Sequence, residues 1–422
     1  MKITIWGNEL LAWTSAAALA ESGNHILLVP NEHEFPDEQD LEFKVSNEPN
    51  LEPLIAETKE NGRLKIGSGT EGLSHASNHI LALNPDQFKT AERLITRLSN
   101  QYPSNLLIIN QSNFGVGSSD KLQNLLDETN NQVISYIPDM LAEGSALEDY
   151  KSPQTIILGC TNDWALLNIK SLMRPFSKAT KQWMIMSSKE AEFTKFANTG
   201  MLALRLGYIN ELANLADQLD VDIEVIREAM ITDPRIGPHY LHPGCGFGGL
   251  HFQQYIEALS DLLTEARNSK LLDTVLTENE KQKEQPFRKL WRHYSCDLEG
   301  KTITLWGLSF KSGTASIDNA PSLKVIDTLL AQGCHIQLHD PEAMGNIREH
   351  FDDPSITYSE NAYDALKGSD GLLLLTDWPE YWSPDYDEML NKMNQPLIID
   401  GRNIFDKELV QSLGFTYYGV GR

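Results

Sequence analysis

Apolar and polar positions along this chain follow two alternating rhythms. The short apolar run KITIWG is followed by ELLAWTSAAALAESG, an Ala-rich stretch of helical character closed by Gly23, and then by a second apolar run, HILLVP. Strand, helix and strand at that spacing predict the opening βαβ unit of a doubly wound parallel sheet. The strand patterns HILALN, NLLIINQS, VISYIP and TIILGC carry it to about residue 185. From Ala191 to about Leu290 the pattern turns helical, with one Gly- and Pro-rich interruption, TDPRIGPHYLHPGCGFGG. A second α/β series then starts: KTITLWGLSF, SLKVIDTLLAQG, HIQLHDP, GLLLLTDW and PLIID. The expected fold class is α/β, with two Rossmann-like doubly wound domains, residues 1–190 and 296–422, joined by a central helical segment, 191–295. No solenoid-period repeat or low-complexity tract interrupts it.

Composition narrows the functional classes. A chain of 422 residues is too long for one core of ordinary size. Acidic residues outnumber Lys plus Arg by 59 to 35, so the long-range field repels polyanions and argues against nucleic acid or an anionic membrane as partner. No run of about 18 apolar residues occurs, and the opening MKITIWG has neither a basic n-region nor a cleavage site, so a cytoplasmic protein is expected. Cys160, Cys245, Cys296 and Cys334 form no CxxC unit, which suits a reducing compartment. His239, His242, Cys245 and His251 do form H-x2-H-x2-C-x5-H, a set of possible zinc ligands. No bound metal is expected, and a zinc assay on tag-free protein is the test of that spacing.

Several motifs in order resemble one family, the UDP-glucose/GDP-mannose dehydrogenases, over essentially the whole chain. They are NEPNLEPLI and GRL near residues 47–64, IPDMLAEG at 137–144, AEFTKFANTGMLALRLGYINELANLA at 191–216 and DPRIGP at 233–238. GFGG at 246–249, GLSFKSGT with APSL at 307–323, DGRNIFD at 400–406 and the closing GR continue the match. The resemblance implies an NAD-binding N-terminal domain, a central dimerisation segment and a C-terminal UDP-binding domain. The family chemistry is a two-step oxidation of a sugar C6 alcohol to a carboxylate, consuming two NAD and passing through a cysteine thiohemiacetal and thioester.

The cofactor positions depart from that pattern. A dinucleotide fingerprint needs small residues where the backbone meets the pyrophosphate and where helix packs on strand. This chain reads Gly7-Asn8-Glu9-Leu10-Leu11-Ala12. Ala12 is an accepted substitute, whereas Glu9 puts a carboxylate where a phosphate should meet bare N–H groups. A unit charge about 4 Å from a phosphate costs on the order of 4 kcal/mol at an effective dielectric near 20. The other reading has Glu9 turned to solvent and capping its own helix. The acidic residue expected for the adenosine ribose is replaced by Pro30, with Glu32 two residues on. The resemblance also sets Asp318 where the family has a cofactor-facing arginine, and Ser316 in place of an aspartate.

The reactive loop departs further. Against the family pattern GxGxGGxCxPKD the chain reads GCGFGGLHFQQY, so the nucleophile position holds His251, the lysine position Gln254 and the aspartate position Tyr255. A thiolate is required to hold the aldehyde covalently through the second oxidation, and imidazole is a poor substitute. Cys245, on the far side of the glycine turn, reads as a small buried thiol rather than a displaced nucleophile. The resemblance sets Lys195 on the family's catalytic lysine, an oxyanion stabiliser, and Thr199 on its asparagine partner; Asn198 is a partial stand-in. Asn113 matches the family's threonine. Asp139 replaces a glutamate that positions water, and Glu143 is kept. For Lys195 and Glu143, plain solvated or paired charges remain the alternative.

The sugar-nucleotide side is closer to the pattern. Phe247, Gly248 and Gly249 supply backbone that can wrap a uracil and ribose, and Lys311, Arg235 and Arg402 are suitable cations for a diphosphate and sugar hydroxyls. A structural role near a dimer interface is the other reading for the two arginines. Two functions follow. One is a family member impaired in oxidation that binds a UDP-sugar and acts by binding or regulation, as a homodimer or paired with an active relative. The other is a working NAD-dependent dehydrogenase that oxidises the C6 alcohol of a UDP-sugar, with a halt at the aldehyde as one form of it, in polysaccharide precursor synthesis.

Overall fold

The computed structural model describes residues 1–30, 48–178, 180 and 182–422. They form two compact units, Met1–Ala197 and Asn198–Arg422, and the division falls inside one helix, Ser188–Leu219. Glu32 lies outside the described residues.

The first unit is built on eight strands: Lys2–Trp6 (β1), His25–Val29 (β2), Leu64–Ile66 (β3), Asn78–Leu81 (β4), Leu106–Asn110 (β5), Gln132–Tyr136 (β6), Thr155–Gly159 (β7) and Gln182–Met186 (β8). Their order is β3-β2-β1-β4-β5-β6-β7-β8. Neighbours are parallel except β6 and β7, which pair antiparallel at Tyr136 and Gly159. The order reverses between β1 and β4, the point at which doubly wound sheets bind ligands beyond their carboxyl ends. Every residue of β5 and β6 is buried, as befits strands covered on both faces.

The Ala-rich helix Leu10–Glu21 packs on this sheet with Ala12 through Ala20 all buried. Small side chains let it approach closely, and the helices Leu51–Glu60 and Ala146–Lys151 cover its outer sides, so it carries no polar stripe. Gly23 follows it at φ +97°, the left-handed conformation that ends helices. On β4, His79 is fully buried and its Nδ1 accepts from Trp6 Nε1 at 3.1 Å. Desolvation drives its pKa down to about 3.

The second unit repeats the arrangement with six strands: Thr302–Trp306 (β9), His335–His339 (β10), Ile356–Tyr358 (β11), Gly371–Leu374 (β12), Leu397–Asp400 (β13) and Thr416–Tyr418 (β14). The order is β11-β10-β9-β12-β13-β14 and all neighbours are parallel. Beyond β10, the buried carboxylate of Asp340 accepts from the backbone N–H of Leu308 at 2.6 Å, of Ser309 at 3.1 Å and of Ala343 at 2.7 Å, and from Trp378 Nε1 at 3.0 Å. One side chain thus fixes the turn that leaves β9. Most of the helical segment read from the sequence also lies in this unit, as Ile223–Ile231, Leu250–Arg267, Leu271–Gln282 and Gln285–His293 beside the long helix. Among the described residues, no helix is long and apolar enough to cross a membrane.

Candidate functional site

The turn from β1 into the first helix keeps the geometry that a dinucleotide fingerprint demands. Gly7 sits at φ +140°, and a β-carbon there would fall 1.9 Å from the Ala82 carbonyl oxygen and 3.3 Å from the Ala12 methyl. Only glycine fits at residue 7, and Ala12 is fully buried beside it. Glu9 occupies the N-cap in extended conformation, and its carbonyl accepts from Ala12 N at 2.9 Å and Trp13 N at 3.2 Å. Its side chain is exposed, as the alternative reading has it, but makes no cap; Oε1 accepts from Asn84 Nδ2 at 3.3 Å. A negative charge therefore stands at the end of the helix where the dipole would favour an anion.

Beyond the carboxyl ends of β5 and β6, the first unit gathers several of the singled-out residues. Lys195 is buried, with its Nζ donating to the carbonyl oxygen of Asp139. Burial lowers the lysine pKa, and the Asp139 carboxylate works against that shift. The Asp139 carboxylate itself accepts from Leu141 N at 3.0 Å, within its own loop. Asn113, also buried, accepts from the Tyr136 hydroxyl at 2.9 Å. Glu143 is half-buried in the loop after Asp139. Further along the helix, Thr199 is buried and Asn198 is exposed.

Two buried carboxylates that the sequence did not single out hold these loops. Glu48 accepts from Gly144 N at 2.7 Å and Ala146 N at 2.6 Å, fixing the loop that carries Asp139 and Glu143. Glu192 accepts from Gly117 N at 2.5 Å, Ser118 Oγ at 2.8 Å and Ser119 N at 2.8 Å, which ties the loop after β5 to the helix bearing Lys195. Glu48 stands in NEPNLEPLI and Glu192 three residues before Lys195, so the motif match covered both without revealing their partners.

In the second unit, three side-chain amides take a large part in holding the glycine-rich loop, beside main-chain bonds such as Cys245 N to Gly401 O at 2.9 Å. Asn210 Oδ1 accepts from Gly244 N at 2.9 Å, and Gln282 Nε2 donates to Gly244 O at 2.8 Å. Asn279 bonds both polar groups of the Phe247 main chain. A β-carbon on Gly248 would lie 2.7 Å from Asn319 O and 2.8 Å from Phe310 Cβ, and Gly249 N donates to Asp318 O at 2.8 Å. The loop is thus pressed onto residues 310–319. The Asp318 side chain is exposed and accepts from Ser316 Oγ at 3.1 Å.

The cations differ in how they are used. Arg402 spends its guanidinium on main-chain carbonyls, with Nε to Leu375 O at 2.7 Å, Nη1 to Gly246 O at 3.5 Å and Nη2 to Phe310 O at 3.3 Å. It clamps the loop. Arg235 is 88% exposed and paired with Asp233 at 2.6 Å. Lys311 is half-buried, with Nζ 5.6 Å from the Phe310 ring centre. A further cation was not foreseen: Lys283, its side chain 2% exposed, donates to Asn319 Oδ1 at 2.5 Å and Glu280 Oε1 at 2.6 Å. Burial pulls its pKa down, against the pull of Glu280.

Cys245 is fully buried, its Sγ 3.6 Å from Leu375 O, and desolvation pushes the thiol pKa up, so it is held as a thiol. His251 and Gln254 occupy the first turns of the helix Leu250–Arg267, with the His251 ring stacked on Tyr255 at 6.2 Å between centres and 20° between planes. His251 Nδ1 and Gln254 Oε1 are buried and meet no hydrogen-bond partner. Among the described residues, no three His, Cys, Asp or Glu side chains gather as a metal site, which leaves the H-x2-H-x2-C-x5-H spacing without a geometric counterpart.

This chain matches three domains of one family: the NAD binding domain over residues 1–177, the central domain over 189–281 and the UDP binding domain over 304–407. It is similar to the UDP-glucose 6-dehydrogenase YwqF of Bacillus subtilis, with 30% identity across 100% of this chain and 98% of the relative. The UDP-glucose 6-dehydrogenase of Pseudomonas aeruginosa is 29% identical at the same coverage of both chains. A solved UDP-glucose dehydrogenase from Pyrobaculum islandicum superposes with a TM-score of 0.85 at 25% identity, covering 100% of this chain and 97% of the other. With all three domains in their order and full-length relatives alongside, the chain belongs to the UDP-glucose/GDP-mannose dehydrogenase family.

Proposed function

We propose that this chain is a nucleotide-sugar-binding member of the family that has lost the thioester route of oxidation and acts by binding or regulation. The observation that carries the proposal is the pairing of His251 at the start of its helix with a Cys245 that is wholly buried and held as a thiol. Cys160 and Cys334 are buried too, and the exposed Cys296 lies far along the chain from the glycine loop. A covalent aldehyde intermediate has no thiolate to form on.

The residues at the first turn do not fit NAD as they stand. Gly7 and Ala12 keep the close approach, but Glu9 sets a carboxylate where the pyrophosphate should lie; separately, the resemblance sets Asp318, in the second unit, where the family has an arginine. The loop at 244–249 supports the sugar-nucleotide half, because amide side chains and Arg402 hold its backbone ready before any ligand arrives. Within this proposal, residues 1–190, 191–295 and 296–422 are the dinucleotide-type, self-association and UDP-sugar segments. Met201, Tyr208 and Leu215, seven residues apart and all exposed on one helix, supply an apolar stripe for a homodimer or for pairing with an active relative. The setting is cytoplasmic assembly of polysaccharide precursors.

A second reading is a dehydrogenase that stops at the aldehyde, and the buried Lys195 of lowered pKa favours it. Calorimetric titration of tag-free protein with NAD, alone and with UDP-glucose, separates the two. UDP-glucose binding without NAD binding is expected. Micromolar NAD affinity, followed by reduced nicotinamide from any UDP-sugar, would return the chain to the working dehydrogenases.

A further inference from the structure

We propose that His251 and Gln254 together form a hydroxyl-recognition pair for the hexose of a nucleotide sugar. The inference rests on the nucleotide-sugar reading above and deepens it. The two residues are three apart on the helix Leu250–Arg267, so their side chains share one face. His251 Nδ1 and Gln254 Oε1 are both buried, and neither meets a hydrogen-bond partner. Buried polar atoms in native proteins are nearly always satisfied, so two orphans on one helical face point to a polar group that answers both.

The chemistry of the pair selects that group. A carboxamide oxygen only accepts, so its partner must donate; a phosphate dianion or a carboxylate cannot serve it. An imidazole nitrogen donates or accepts according to tautomer, and a hydroxyl meets either form. Neighbouring sugar hydroxyls bring one donor and acceptor to each residue. The location agrees. Gly248 and Gly249, directly before this helix, pack on Phe310, and Gly249 N donates to Asp318 O, both residues of the stretch matching the UDP binding domain. Stacking on Tyr255 presets the His251 ring, which lowers the ordering cost on binding. In this chain the position is a polar reader of the sugar, with no covalent step.

The test compares UDP with UDP-glucose by calorimetry on the full chain and on His251→Ala and Gln254→Leu. The native protein is expected to prefer UDP-glucose over UDP by tenfold or more, and each variant to lower that ratio below threefold. A preference retained in both variants overturns the pair and assigns its polar atoms to ordered water. Gln254→Leu, nearly isosteric, keeps the result readable if His251→Ala fails to fold. Native protein that binds neither compound overturns the nucleotide-sugar reading itself, a different outcome from native preference that survives in the variants.

Discussion

Asn279 grips the main chain of Phe247 at both of its polar groups: Oδ1 accepts from Phe247 N at 2.9 Å and Nδ2 donates to Phe247 O at 2.9 Å. A side-chain amide here does for a buried loop residue what a neighbouring strand would do elsewhere. Replacing it with leucine, of similar shape, strands both groups. Each unsatisfied group costs roughly 1–3 kcal/mol, so Asn279→Leu is expected to lose about 2–6 kcal/mol. Thermal unfolding with amide exchange at residues 244–249 checks this, and unchanged protection in that loop would refute it.

Gly248 makes the complementary demand. Its β-carbon would fall 2.7 Å from a main-chain oxygen, Asn319 O, which cannot swing aside as a long side chain could. Gly248→Ala is expected to cost on the order of 1–3 kcal/mol by overpacking and to weaken UDP binding. A variant of native melting temperature and native UDP affinity would show that the loop yields.

The exposed Glu9 carboxylate at the first helix N-terminus gives the NAD reading a direct test. Glu9→Gly is expected to tighten NAD binding tenfold or more, a change of about 1.4 kcal/mol. High salt should shrink the gain, because the exposed carboxylate is screened. By contrast, His251→Cys alone is expected to give no uronate, since Glu9 and Asp318 remain. NAD-dependent uronate from that single change would show that the cofactor site was sound all along.

His79 ties stability to pH. Its pKa falls from 6.5 to about 3 on folding, because burial disfavours the imidazolium. The unfolded chain therefore takes up a proton below about pH 6.5 that the folded protein refuses until about pH 3. Stability is at its full value above that window and drains away as the pH drops through it, by on the order of 5 kcal/mol in total. Urea midpoints between pH 7 and pH 4 should fall more steeply for the native protein than for His79→Gln. Parallel curves would remove His79 from the acid sensitivity.

What the sequence made legible follows a physical boundary. The strands read from their apolar runs, such as ILLV in β2 and LLII in β5, lie inside the sheets, where both faces are covered. The strands passed over, β3, β8, β11 and β14, are the four sheet edges. Three of them are three residues long, and β8 is half exposed, so they carry too little apolar pattern to register. The same boundary runs through the site. Lys195, Asp139 and His251 stood at positions to which the resemblance gave roles, whereas Glu48 and Glu192, inside the same motifs, and Lys283, outside them, look like ordinary solvated charges until the fold buries them. Their function depends on partners as distant in sequence as Ala146, 98 residues from Glu48. Local pattern does not encode such pairings.

The repeated strand order has one more consequence. Each sheet closes over its own apolar core, with Ile5 and Ala16 in the first and Leu305 and Ile326 in the second. Selection can therefore act on the two halves as separate inheritances. A change that alters the ligand of one sheet meets the packing demands of that sheet's core first.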